Sequence, residues 1–356
     1  MPISAELIQS IENNTYTQKE LNLEAQGLEK EDILVLASAL KKNNHIKSVN
    51  LSNNPINFEA IEKILCLDQL EELDVSETLL TGSDMVNFEK TNLKKLSVNG
   101  ISLGEKGVES IAKMENLTDL SVEECRITNT GFQLLTRPNS PLKKLKIGKN
   151  IFNADALKNI GENQTLAKLS LCHMGLPHTV ANFILENRTL EELDLSHNYL
   201  ANEGATIIAN HPSITHLDLS DNLLSNSILA VFANKKIKTL ILFNNELDSK
   251  GAKEFVSTTL TKLNLAANKL DDDCAEALAS ISSLKELNLS MNSITEKGAK
   301  ILSKLCDSPS FQKIHLGANP IPQALLIEFA TFNKRNRQLE NSARDVQPTA
   351  AKRSKT

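Results

Sequence analysis

The sequence predicts an α/β solenoid in the form of a horseshoe or arc, with short parallel strands on the concave face and helices on the convex face. Three observations carry this. An eleven-residue pattern, apolar at positions one, four, six and eleven and favouring Asn at position nine, recurs thirteen times between Gln18 and Ile321. Its starts fall at Gln18, Ile46, Leu70, Leu93, Leu117, Leu142, Leu166, Leu190, Ile214, Ile237, Leu260, Leu284 and Phe311, most steps being 23 to 25 residues, the first 28 and the last 27. Between motifs the apolar period changes from 2 to about 3.6, the signature of a helix.

Within each turn the strand comes first. Positions one, four, six, nine and eleven point inward, and positions two, three, five, seven and eight point out. One such strand cannot bury both faces. Strands stacked about 4.8 Å apart can, each bonding the turns above and below. Position nine then needs a side chain that bonds the loop backbone. Asn54, Asn150, Asn198, Asn222, Asn245, Asn268, Asn292 and Asn319 supply it, and Cys125 stands in for Asn in the fifth turn. Gln26, Thr78, Ile101 and Met174 should interrupt the ladder.

Helices follow the strands. Stretches such as Asn202 to His211, Asp248 to Ser257 and Thr295 to Lys304 carry the helical period, with Asn202, Asp248, Asp271 and Thr295 as expected N-caps. Ala205, Ile208 and Ala209 should face the strands. At the N-terminus, residues 1–17 read as a helical cap, with Ser4 as N-cap and Leu7, Ile8 and Ile11 on one face. Residues 18–332 form one repeat domain of about thirteen turns, closed by a helix bearing Leu325, Leu326, Phe329 and Phe332. Residues 333–356 are polar and are expected to be disordered, so that their removal leaves thermal stability nearly unchanged. This tail also reads as a nuclear-import signal from Lys334 to Arg337 and Lys352 to Lys355.

These repeats resemble leucine-rich repeats of the ribonuclease-inhibitor-like class. The Gly-Ala pairs at helix starts (Gly204-Ala205, Gly251-Ala252, Gly298-Ala299) and the 24-residue period are most similar to the GALA-type repeats of bacterial effectors. The polar tail is similar in position and composition to those of type IV-secreted leucine-rich-repeat effectors of intracellular pathogens, a resemblance that implies a translocation signal. The resemblance implies an effector that binds a host protein through its concave face. GALA effectors carry an F-box ahead of the repeats. About 17 residues precede the first repeat here, and a ubiquitin-ligase adaptor role is not expected. The alternative is a regulator of an enzyme, either an inhibitor or a small-GTPase activator. Arg126, just past Cys125, is the arginine placed for the latter.

Composition narrows the classes. The formal net charge of −5, the absence of Trp and the presence of only two Tyr argue against nucleic acid as a partner. No apolar run is long enough to insert in a membrane, and no secretory signal opens the chain, which points to the cytoplasm of the producing cell, with export by a non-Sec route. Five cysteines in separate turns, none in a CxxC pair, read as free thiols in a reducing compartment. Cys66, Cys125, Cys274 and Cys306 should be small core residues, and Cys172 should lie on the concave face.

Function should sit on the outward strand positions. Glu71 and Glu72 face Lys94 and Lys95, and Asp119 faces Lys143 and Lys144, in alternating rungs that read mainly as register-fixing pairs. Turns eight and nine gather Glu191, Glu192, Asp194, His197, His216, Asp218 and Asp221 with no basic rung immediately balancing them, an acidic patch for protein recognition. His173, His197 and His216 occupy different columns, so no metal site is expected. Turn ten places Ile241 and Phe243 outward, with Ala266, Ala267 and Met291 near them, the pattern of a binding hot spot. No catalytic fingerprint appears, and Cys172 beside His173 is a poor dyad because adjacent strand residues point apart. The expectation is a monomeric, non-enzymatic protein-interaction module without cofactors.

Overall fold

The computed structural model describes residues 3–232, 236–252 and 259–345. The chain divides into two compact units, Met1–Asp194 and Leu195–Thr356, where the sequence suggested one domain. The reason is physical: in a repeat array each turn touches only its neighbours, so compactness does not extend along the whole chain.

Each motif forms a three-residue strand at its positions three to five. The first unit holds β1 (Glu20–Asn22), β2 (Ser48–Asn50), β3 (Glu72–Asp74), β4 (Lys95–Ser97), β5 (Asp119–Ser121), β6 (Lys144–Lys146), β7 (Lys168–Ser170) and β8 (Glu192–Asp194). The second holds β9 (His216–Asp218), β10 (Thr239–Ile241), β11 (Lys262–Asn264), β12 (Glu286–Asn288) and β13 (Lys313–His315). Within each unit the strands follow chain order, parallel and in register: Leu73 stands opposite Leu96, and Leu240 opposite Leu263. This register buries the apolar column. Leu96, Leu120, Leu145 and Leu240 have no exposed surface.

The Asn ladder holds the loops. Asn54 Oδ1 accepts from the N–H groups of Gln26 and Leu28 in the turn before (3.1 and 2.9 Å), and its Nδ2 donates to the carbonyls of Leu23, Leu51 and Ser52. Asn222, Asn268 and Asn292 repeat the pattern in the second unit. At two of the irregular positions a shorter donor substitutes: Thr78 Oγ1 donates to the Val75 carbonyl (2.7 Å), and Cys125 Sγ to that of Val98 (3.1 Å). A second set of buried asparagines, Asn43, Asn163 and Asn187, sits three residues before a motif start. Asn163 Oδ1 accepts from Thr165 N and Leu166 N, while its Nδ2 donates to Thr136 O and Arg137 O one turn back.

Position eight is left-handed in all thirteen turns, with φ between 49° and 74°. Only Gly100 is a glycine there. Asn53, Asp221 and Asn244 are residue types that tolerate this region, while Glu77, Lys149 and Met291 are not, and the strain is of order 1–2 kcal/mol per residue. The geometry aims each N–H at the next turn: Asn53 N donates to Ser76 O (2.9 Å), Asp221 N to Phe243 O (3.0 Å) and Met291 N to Gly317 O (2.8 Å). Position five prepares this turn. Asp74, Asp218, Asn264 and Asn288 each accept, through Oδ1, the N–H two residues on, at 2.9 to 3.1 Å.

The helices are short, and two turns use 3₁₀ segments instead, Gly82–Phe88 and Ala154–Glu162. Ser4, Asp271 and Thr295 cap as expected, and Asp248 Oδ1 accepts from Lys250 N at 2.8 Å. Asn202 is not a cap. The helix Ala201–Ala209 begins before it, because Asn202 is used to join turns: its amide contacts the hydroxyls of Ser225 (2.6 Å) and Ser227 (2.8 Å) and accepts from Ser225 N (2.9 Å). Ala205, Ile208 and Ala209 are buried as the period required. In two of the Gly-Ala pairs the Gly has a packing reason. A Cβ on Gly298 would lie 2.3 Å from Asp272 Oδ1, and one on Gly251 2.7 Å from Asn226 Oδ1.

At the C-terminus a single helix runs Gln323–Asp345 and passes through the boundary expected at Asn333. Asn333 Oδ1 accepts from Ile314 N (2.9 Å) and its Nδ2 donates to Ile314 O (2.7 Å). The side-chain amide thus pairs with β13 as the next strand would. Asn336 Nδ2 reaches Gln312 O (3.0 Å), and Phe332 stacks on Phe311 at 6.1 Å. Polar residues from Asn333 onward were read as solvated, yet two of them, Asn333 and Asn336, satisfy the last strand's edge. Residues 346–356, with the Lys352 to Lys355 half of the import-like motif, lie outside the described residues.

Two outcomes follow. Asn333→Ala should lower unfolding free energy by about 1–3 kcal/mol, since it leaves two backbone groups of Ile314 without partners; urea denaturation would measure this, and no change would mean the helix seat is redundant. Asp272 accepts from Thr295 N (2.8 Å), from the Thr295 hydroxyl and from Gly298 N (3.0 Å). Burial pushes its carboxyl up, but these bonds outweigh that and hold it below the usual value. A lowered folded pKa gives stability that is complete above the unfolded value near 4 and is lost as pH falls through the folded one. The stability gap between wild type and Asp272→Asn should therefore be constant above about pH 4.5 and shrink below it, in melting curves taken from pH 7 to 3.

Candidate functional site

The alternating rungs pair as expected. Lys94 meets Glu71 at 2.7 Å, Lys95 meets Glu72 at 3.4 Å, and Lys144 meets Asp119 at 3.2 Å. The bonded Lys94 ammonium holds the Glu71 carboxyl below its ordinary range. The Glu71 and Glu72 pairs are well exposed, the Lys144–Asp119 pair is part-buried, and all three keep contact with solvent and contribute little individually.

The acidic residues of turns eight and nine belong to different units and are taken separately. In the first unit Glu191 is exposed and Glu192 half-buried. Glu192 is balanced after all: Lys168 of β7 reaches it at 2.6 Å, because the preceding rung supplies the cation. Asp194 accepts from the Ser170 hydroxyl at 2.8 Å. In the second unit Asp218 accepts from both the N–H and the hydroxyl of Ser220. Asp221 accepts from Asn244 Nδ2 and lies 3.4 Å from His197 Nε2. His216 is exposed, with Nδ1 at 2.8 Å from the Thr215 hydroxyl. Part of this patch is therefore spent on the fold: Asp218 holds its own turn, and Asp221 occupies a left-handed position.

Ile241 and Phe243 are each half-buried. Ile241 lies on β10 between Asp218 and Asn264. It takes the position that Asn22, Asn50, Asp74, Asp218, Asn264 and Asn288 use to cap the turn, so β10 exchanges that bond for an apolar surface. Ile241 opens on a groove of about 220 Å³ across β10 to β13, lined also by Thr239, Lys262, Glu286, Lys313 and His315. Phe243 does not line it. Met291 is 56% exposed.

The sequence reading did not anticipate His315 as a groove residue. Although much of it is exposed, desolvation of the ring on the strand face holds it below the usual histidine range, with Lys313 adding and Glu286 opposing. Also missed were Tyr199 and Leu223, at position ten of turns eight and nine, 66% and 64% exposed on the loop edge of the second unit. The signal was available, as position ten is polar, Gly or Pro in most other turns.

Among the described residues no group of three or more His, Cys, Asp or Glu is placed to hold a metal ion, and no helix is long and apolar enough to cross a membrane. Burial pushes the Cys172 thiol up to about 11; the Ser170 hydroxyl opposes this, and Asp194 and Glu123 add to it. A thiol so raised is a poor nucleophile at neutral pH. Cys125 and Cys274 are buried as expected, but Cys66 is exposed and Cys306 only half-buried. Cys66 is the C-cap of the helix Phe58–Leu65, two residues past Ile64, the last of the helix's buried residues. Arg126 is exposed and left-handed, with φ 57°.

A family model described as Leucine Rich repeat matches residues 42–65, 186–209, 233–256, 256–279 and 280–303, and a related one matches 213–234. With the thirteen parallel strands and the Asn ladder, that settles the class. The chain is a leucine-rich-repeat protein. A comparison with curated protein sequences found no match. Among solved structures the leucine-rich-repeat protein is similar to yeast Rad7 in its complex with Elc1, at TM-score 0.58 and 17% identity, covering 92% of this chain and 86% of that one. It is also similar to an internalin, inlF, from Listeria monocytogenes, at TM-score 0.52 and 20% identity, covering 84% and 93%. These likenesses establish the fold. Leucine-rich-repeat proteins generally serve as protein-interaction scaffolds.

Thiol exposure gives a direct check on the site's chemistry. Iodoacetamide at pH 7.5 should label Cys66 fastest in the native protein, the half-buried Cys172 and Cys306 slowly because their thiols are pushed up, and Cys125 and Cys274 only after unfolding, as read by peptide mass spectrometry. Rapid labelling of Cys172 would contradict its raised pKa and reopen a nucleophilic role.

Proposed function

We propose that this leucine-rich-repeat protein is a non-catalytic interaction module that takes a protein partner on its strand face at β10 to β13. The observation that carries the reading is Ile241, the one apolar side chain at a position that the other turns give to Asn, Asp, Ser, Lys146 or His315, opening on the groove. Such a residue does nothing for its own turn that Asn would not do better. Phe243 and Met291 extend the apolar surface, and His197, His216, Asp218 and Asp221 of the same unit are proposed to contribute selectivity rather than anchorage. The setting we propose is that of a bacterial effector, acting as a monomer on a host protein by occlusion or scaffolding. What supports the setting is the likeness of the Gly-Ala helix starts and of the tail to those of effectors. The Gly251 and Gly298 contacts also give that motif a packing role in any tightly wound repeat.

Ile241→Ala with Phe243→Ala should weaken partner binding by more than about 1 kcal/mol while the urea midpoint shifts only slightly, both side chains being half-buried. Affinity capture from host-cell lysate, wild type against the double variant, reads this out. A host protein recovered with wild type and depleted with the variant is the expected result; equal recovery of every captured protein would sink the proposal.

A further inference from the structure

The strand face of the second unit changes sign along its length. Turn nine presents Asp218 and Asp221 and no lysine. The outward positions two, three, five, seven and eight of turns ten to thirteen carry four lysines, Lys238, Lys262, Lys285 and Lys313, against one carboxylate, Glu286. Lys262 pairs with Glu286 at 2.8 Å. The other three are exposed and have no carboxylate partner among the described residues. This local excess of cations stands out in a chain whose formal net charge is −5.

The floor of the groove adds directional donors. Asn264 and Asn288 each use Oδ1 to hold their own turn, on Ala266 N and Ser290 N. Their Nδ2 groups then remain as donors with no protein acceptor among the described residues. The two amides lie in one column, between Ile241 on β10 and His315 on β13. Along this column the face therefore offers an aliphatic contact, two amide donors and an imidazole. Lys313 lines the groove beside it, and Lys285 is exposed one residue ahead of the lining residue Glu286. Every polar feature but the Lys262–Glu286 pair donates hydrogen bonds or carries positive charge. The complement is an acceptor-rich anionic chain with an apolar residue near one end.

Resting on the protein-binding reading above, we infer that the β10 to β13 groove holds an extended acidic segment of the partner, with Asp or Glu side chains toward Lys285 and Lys313 and an aliphatic side chain against Ile241. A peptide fits this face better than a nucleic-acid strand does. The groove lining holds no Phe, Tyr or Trp ring to serve as a platform for successive bases, since Phe243 stands outside it and His315 is a single imidazole. Charge complementarity of this kind accelerates encounter and rejects basic competitors, and it weakens as salt rises.

The test is a random decapeptide library displayed on phage and selected on the full chain. Selected peptides are then resynthesised with fluorescein and followed by anisotropy on wild type, on Lys285→Glu/Lys313→Glu and on Ile241→Ala, with decathymidylate as an unlabelled competitor. The expected result is enrichment of Asp and Glu beside an aliphatic residue, a loss of at least about tenfold in affinity on the double charge reversal, and no displacement by decathymidylate. Both reversed lysines are exposed, so an unchanged melting temperature shows that the variant is folded. Peptides that depend on Ile241 but lack acidic enrichment, or that ignore the charge reversal, overturn the acidic occupant and leave the protein-binding reading standing. Displacement by decathymidylate at equal or lower concentration likewise overturns it in favour of phosphate recognition. Failure to select any peptide, or binding untouched by either variant, overturns both.

Discussion

A strand of three residues has almost nothing of its own to hold it. Each turn of this protein is stable only because its loop delivers backbone groups to the next turn at the correct height, and the side chain at position nine does that delivery. Asn suits the task because a primary amide both accepts and donates. One oxygen takes two N–H groups of the turn before, and one nitrogen serves carbonyls of two turns. The left-handed residue at position eight follows from the same demand, since it tips the chain so that its N–H meets the neighbouring carbonyl. The inward leucines drive the burial, but the amides decide where each turn stops.

That hierarchy explains which parts of the structure were legible in the chain. The period, the strand register and the inward column all come from spacing, and spacing survives in a sequence. The role of Asp218 does not, because a carboxylate that caps its own turn is spelled the same way as one that waits for a partner. Glu192 was misread for a related reason: its cation, Lys168, lies in the rung before, and the acidic residues had been weighed only among themselves. Asn202 has the composition of a helix cap and the geometry of an inter-turn bolt. Asn333 sits in a polar stretch, and nothing local distinguishes an amide that closes a sheet from one that faces water.

The candidate site was legible in one respect only. An apolar residue at a position of amide and carboxylate capping is visible as a broken rule, and Ile241 is that break. The groove beside it is not visible, because it arises from four turns whose individual strands look ordinary. The cationic excess around it is diluted by the acidic remainder of the chain. Reading the face column by column, after the register is fixed, separates these two populations where overall charge merges them.

The seat of the last helix bears on how such a chain changes length over generations. The final turn is met by two side-chain amides and one aromatic stack, all addressed to turn thirteen alone. A duplication or loss of an internal turn would leave that seat untouched. Repeat number is thereby free to drift by recombination, and the reach of the strand face can lengthen or shorten without any redesign of its end.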